Sequence, residues 1–290
     1  MFSDLVPCLR GGGSEVIVDR ERFEAGKALT GQMDQAQDEA EVTLLVLTPD
    51  YLHSQYCRHE LERAVARDPK FAHGSTVPVI REPTDFPDLM SAWNPLCVDM
   101  TGSPGASWDL LMRACGAELG CSAPQWLAAR DELVTLLSRG QSVNLVVRRR
   151  EGGAIQPRWR RLVEHIAQKQ LPGLALVDLE RGAATSRPGL IAAIFDACGD
   201  RQAVPAKPED LVTLDRALSR RSQPAYIGLL HFDYALGRAD EYEADLFGAF
   251  RELVQRKKLV LLVQSRRAFV ELLPRDHPLS SLTELHTVEL

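Results

Sequence analysis

Short apolar runs recur along this chain, at residues 15–19, 42–47, 75–80, 96–100, 142–147, 174–179, 225–233 and 258–265. Stretches with helical spacing separate most of them. Runs of this length bounded by turn residues read as buried strands, and strands alternating with helices imply parallel sheets. A chain of 290 residues suggests about two domains. We therefore expect an α/β protein of two domains, at 1–120 and at 124–290, each built on a parallel sheet.

Composition excludes several classes. The formal net charge is −6, so no global field draws the chain to nucleic acid or anionic lipid. No apolar run reaches the roughly 18 residues of a membrane span, and the first residues lack the basic-then-apolar pattern of a signal peptide. The six cysteines are scattered, with no Cys-x-x-Cys pair and no metal spacing. Free thiols in a reducing cytoplasm are the expected state.

The most informative stretch is 48–65. It follows the apolar run at 42–47, turns at Pro49 and Asp50, and starts a helix near Ser54 that carries Glu60 in its second turn. Ligands of parallel α/β sheets sit at the carboxyl ends of the strands, which is about where Glu60 falls. On spacing alone Glu60 reads as a solvated helix charge, as most helical glutamates are. His53 and His59 lack a third partner at ligand spacing and read as surface histidines.

Tyr51, Ser54, Tyr56, Cys57, Glu60 and Leu61 resemble the signature of TIR domains, with Tyr56 where that family usually has Trp. In TIR domains that cleave NAD, the Glu of this motif is catalytic, which implies that role for Glu60. Phe23, Gly26 and Lys27 lie in a segment that resembles the BB loop, which in that class covers the nucleotide. Lys27 would neutralise a phosphate; the alternative is that Gly26 and Lys27 start a helix. Ser54, Tyr51 and Tyr56 complete the substrate-binding set, the tyrosines stacking on a ring or simply packing. The chemistry implied is cleavage of the nicotinamide–ribose bond through an oxocarbenium-like transition state, with NAD as substrate and no metal or cofactor.

The rest of the first region fits this resemblance with one departure. Residues 2–10 read as a helix stopped by Gly11 to Gly13, 15–19 as a strand, and 28–40 as a helix. The 75–80 run is a strand with Pro78 near an edge or strand end, 96–100 is a last short strand, and 108–119 is a helix. A TIR domain begins with a strand before its first helix, and this sequence begins at the helix. The flavodoxin-like parallel sheet that the resemblance implies for 1–120 has the order 2-1-3-4-5 and would lose its second member, leaving unpaired strand edges. We expect the reading frame to be truncated there.

The second region resembles the entry to a STAND or AAA-type ATPase: a helix at 124–140, a strand at 142–147, then a phosphate-loop position. That loop needs Gly-x-x-x-x-Gly-Lys-Ser/Thr. Here Arg148 replaces the first Gly, Gly153 survives, and Ala154 and Ile155 replace the Lys and Ser/Thr. The acidic pair expected within the 225–233 run falls on Leu230 and His231. ATP hydrolysis is not expected, and the domain reads as a degenerate one used for sensing or assembly. Arg148 to Arg150, Arg158, Arg160 and Arg161 form a basic cluster that grips a signal nucleotide or nucleic acid, or is a solvated face.

Two functions follow from the resemblance. One is an NAD hydrolase acting in signal transduction, as a bacterial immune or cell-suicide effector. The other is a non-enzymatic module that binds other TIR domains or itself, with a pseudo-ATPase sensor attached.

Overall fold

The computed structural model describes residues 2–102, 105–148, 158–180, 182–197, 211–238, 240–281 and 285–290. The chain divides into two compact units, 1–124 and 125–290. Both are α/β with parallel sheets.

The first unit runs α1 (Phe2–Gly12), α2 (Asp19–Arg22), α3 (Leu29–Glu39), β1 (Thr43–Leu47), α4 (Pro49–His53), α5 (Gln55–Arg67), β2 (Thr76–Ile80), α6 (Asp88–Ser91), β3 (Val98–Asp99) and α7 (Gly105–Ala114). Its described strands form a parallel sheet in the order β1-β2-β3. This is the 3-4-5 part of the expected order. Leu45 and Leu47 of β1 pack on Leu61, Ala64 and Val65 of α5 and on Met90.

Four expectations are corrected here. Residues 15–18 form no strand: Val18 has extended dihedrals (φ −126°, ψ 129°), but the segment has no ladder partner among the described residues, and an extended backbone alone is not a strand. The turn at Pro49 is a helix, because Thr48 Oγ1 accepts the Tyr51 N–H at 3.1 Å and Pro49 takes the first helical position, where no N–H is needed. The last strand is only two residues long. α7 stops at Ala114 rather than 119. There Gly116 turns left-handed (φ 61°), and the Gly116 and Ala117 amides bond back to the Arg113 and Met112 carbonyls at 3.1 and 2.8 Å, a Schellman closure. Pro78 sits in the middle of β2. It is tolerated because β3 pairs only with Val79 and Ile80.

α1 packs tightly against the turn after α7. A Cβ on Gly12 would meet Ala117 Cβ at 2.7 Å and the Glu118 amide nitrogen at 3.0 Å, while Glu118 N–H bonds to Gly12 O at 3.0 Å. Gly12→Val is therefore expected to destabilise this unit by roughly 1–3 kcal/mol through overpacking. A melting curve unchanged from the wild type would contradict the contact.

The second unit comprises α8 (Ala123–Ser138), β4 (Val143–Val146), α9 (Trp159–His165) with a π turn after it, β5 (Leu174–Asp178), α10 (Arg187–Ala197), α11 (Leu211–Ser219), β6 (Ala225–Leu230), α12 (Asp233–Leu236), α13 (Ala244–Gln255), β7 (Leu259–Ser265), α14 (Phe269–Leu272) and β8 (His286–Glu289). The order is β5-β6-β7-β4-β8, and every pairing is parallel. All carboxyl ends therefore lie along one rim. β6 ends at Leu230, not 233, because His231 adopts φ 57° and leaves the ladder. β8 was not anticipated. Buried Asn144 on β4 donates to Val263 O at 3.0 Å and Ser265 Oγ at 2.7 Å, and accepts the Phe269 N–H at 3.1 Å, so it ties β4 to β7 and to the start of α14. Gly153, Ala154 and Ile155 fall outside the described residues. No helix among the described residues is long and apolar enough to cross a membrane.

Candidate active site

Glu60 is placed by two local signals. Ser54 caps α5, its Oγ accepting the Cys57 N–H at 3.4 Å, and its extended backbone (φ −76°, ψ 127°) sets the corner between α4 and α5. That corner brings Tyr51 back over α5. Its hydroxyl donates to Glu60 Oε2 at 3.0 Å. The Glu60 backbone carbonyl accepts Gln37 Nε2 at 3.1 Å, which anchors α5 to α3.

The electrostatics favour a protonatable carboxyl. Burial pushes Glu60 above the ordinary carboxylate range, the Tyr51 hydrogen bond pulls the other way, and the Asp19 carboxylate adds to the upward push. Burial also drives the Tyr51 phenol far upward, with Glu60 beside it, so Tyr51 keeps its proton and acts as a donor. A carboxyl raised by burial is the kind of perturbed group that functional sites gather.

The other predicted site residues are differently employed. Ser54 Oγ accepts its cap bond from the Cys57 N–H. Tyr56 is 43% exposed. Gly26 turns left-handed (φ 85°) with open space around it, in a loop ahead of α3, so it does not begin the helix. Lys27 pairs with Glu24 at 2.8 Å, and Phe23 is half-buried. No hydrogen bond or ion pair joins Phe23, Gly26 or Lys27 to Glu60 among the described residues. His53 Nδ1 contacts the Pro49 carbonyl at 2.6 Å, and His59 pairs with Asp34 at 2.9 Å. Asp19 and Gln37 escaped the sequence reading; the only signal for Asp19 was its place at the end of the 15–19 run.

Residues 1–112 match a family model described as TIR domain. This part of the chain is a TIR domain. No curated protein matches the chain. Among solved structures, a chain from "Structure of Drosophila ORC bound to DNA" is similar at 13% identity and TM-score 0.42, over 58% of this chain and 91% of that one. A chain from "Structure of Drosophila ORC bound to GC-rich DNA and Cdc6" is similar at 11% identity and TM-score 0.42, over 71% of this chain and 62% of that one. Both likenesses are remote.

Outside the TIR domain, two arginines of the predicted basic cluster are committed to acids. Arg148 pairs with Glu271 at 3.3 Å and Glu289 at 3.0 Å. Arg160 pairs with Glu164 at 3.0 Å and Asp178 at 2.6 Å. Arg149 and Arg150 fall outside the described residues.

Proposed function

We propose that the TIR domain cleaves the nicotinamide–ribose bond of NAD, with Glu60 as the catalytic carboxylate. The observation that supports this best is the half-buried Glu60 carboxyl, aimed by Tyr51 and shifted upward by burial. As the anion it would stabilise the oxocarbenium-like charge on the ribose; Tyr51 holds one of its oxygens and leaves the other for the substrate. Phe23, Gly26, Lys27, Ser54 and Tyr56 are the proposed nucleotide contacts. NAD is the substrate, and the products are nicotinamide and ADP-ribose, linear or cyclised. The second unit would act as a sensing or assembly domain that does not hydrolyse ATP, in a cytoplasmic signalling protein of the immune-effector kind.

Tyr51→Phe tests this arrangement. Loss of one hydrogen bond, about 1–1.5 kcal/mol, would lower NAD cleavage by roughly tenfold. Without that bond the Glu60 carboxyl rises further, so the acidic limb of the pH–rate profile moves to higher pH. An unchanged profile would show that Tyr51 does not act on the catalytic group.

A second reading, a non-enzymatic TIR–TIR interaction module, draws on the exposed side chains of Leu89, Trp93 and Leu96, at 50%, 50% and 77%. Exposed apolar patches mark contact surfaces. In that case Glu60 substitutions would leave self-association intact and no NAD would be consumed.

A further inference from the structure

The apolar-to-polar transition at the end of β6 places His231 where the P-loop resemblance called for an acid. Carboxylates are nonetheless present there, supplied by the neighbouring strand end. Asp178 closes β5, Glu180 follows it, and with His231 each brings one donor atom within 4.8 Å of the others.

The hydrogen bonds assign a different task to each. Asp178 Oδ1 lies 2.8 Å from His231 Nδ1, and an ionised carboxylate only accepts, so Nδ1 carries a proton. The other Asp178 oxygen accepts Arg160 at 2.6 Å. Both oxygens of Asp178 are thus engaged, and its role is to orient the ring. Nε2 then faces Glu180 Oε2 at 3.6 Å, beyond the 2.7–3.2 Å range of a good hydrogen bond. For ligand bonds of about 2.0–2.2 Å, neighbouring donors on one cation stand about 3–3.5 Å apart, close to this gap. Glu180 is itself aimed, its Oε1 accepting the Tyr234 hydroxyl at 2.9 Å. The imidazole is fixed by its backbone N–H to Gln264 Oε1 at 2.9 Å and by Trp159, edge-on at 5.1 Å.

We propose that the carboxyl ends of β5 and β6 form a divalent-cation site, with His231 Nε2 and Glu180 as protein ligands, water in the remaining positions, and Asp178 as the carboxylate that orients the histidine. Carboxylate–histidine–metal arrangements of this kind fix the tautomer and raise ligand basicity. The surrounding charges select the ion. Arg160 neutralises Asp178, and the Arg238 and Arg266 guanidiniums lie over the Tyr234 ring, each at 5.9 Å. Among the described residues no lysine or arginine ion pair offsets Glu180, and a single carboxylate is too little for Ca²⁺ or Mg²⁺, which depend on several oxygens. An imidazole nitrogen with one carboxylate suits Zn²⁺, Co²⁺ or Mn²⁺. The ligands are sheltered yet reachable, with side chains 21% and 35% exposed.

The test uses the full chain, stripped with a chelator and titrated calorimetrically with Zn²⁺, then with Co²⁺ followed by visible absorption. About one equivalent is expected, with Co²⁺ ligand-field bands and without the near-ultraviolet thiolate band that a cysteine site gives. His231→Gln and Glu180→Gln should each weaken binding at least tenfold, and Asp178→Asn by about 10- to 100-fold. No uptake by the wild-type chain, a thiolate band, or wild-type affinity in Glu180→Gln would overturn the proposal and leave a histidine held between two carboxylates.

Discussion

Glu60→Gln is expected to lower NAD cleavage by about 10²-fold or more and, in the same molecule, to make the TIR domain more stable at neutral pH. The two effects share one cause. Burial raises the Glu60 carboxyl, so the fold favours its protonated form. A group whose folded-state value is raised contributes stability that is fully present below its unfolded value and is lost as pH rises through the folded value. The wild type therefore gives up stability as pH climbs above the ordinary Glu range, near 4.5. Glutamine has the same shape, retains an oxygen to accept the Tyr51 hydroxyl, and carries no charge to desolvate. Its advantage should be near zero below pH 4.5 and grow toward pH 7–8, to something on the order of 1 kcal/mol, the common gain when an active-site compromise is relieved. Melting temperatures of both chains across that range would show the divergence. A glutamine variant that is less stable at pH 7–8, or a difference independent of pH, would contradict a desolvated Glu60.

Asn144→Ala should strongly destabilise the second unit. Asn144 is fully buried and makes three hydrogen bonds, to Val263 O, Ser265 Oγ and the Phe269 N–H. Alanine leaves those groups unpartnered in a dry sheet. Each orphaned group costs about 1–3 kcal/mol, and some relaxation is available to Ser265, which also donates to Arg267 O at 2.7 Å. We expect a net loss of roughly 3 kcal/mol and, for a unit of this size, a melting transition lowered by about 6–12 °C. Faster amide exchange in β4 and β7 than in β5 would locate the damage. A shift of a degree or less would mean that water or repacking replaces the lost partners.

Much of the architecture was legible because its signals are local. The 42–47 run, Ser54 at the helix start and Gly140 at the end of α8 each carry their own reason: a strand with one fully buried face, a hydroxyl for an open amide, a left-handed closure. What failed was non-local. Residues 15–18 have strand composition, but a strand also requires a neighbour to pair with. β8 has only Val288 buried along its length, so alternation gave no warning of it. Thr48 followed by Pro49 is a helix start, and reading it as a turn missed α4.

The site shows the same division. Glu60 was found by its motif. Its partner Tyr51, nine residues earlier, was expected to stack or pack, because the corner at Ser54 that delivers its hydroxyl to the carboxylate is a matter of backbone geometry. Asp178 and His231 are 53 residues apart, and nothing in their separate surroundings marks them as neighbours. Only the parallel pairing of β5 with β6 brings them together.

The central claim is tested most directly by NAD consumption with nicotinamide release, followed in the purified chain at rising protein concentration beside Glu60→Ala and Glu60→Gln. The account predicts cleavage by the wild type and a loss of about 10²-fold or more in either variant, with both variants folded. Cleavage that persists in both would remove Glu60 from the chemistry, and a wild-type chain inert at every concentration would favour the interaction module over the enzyme.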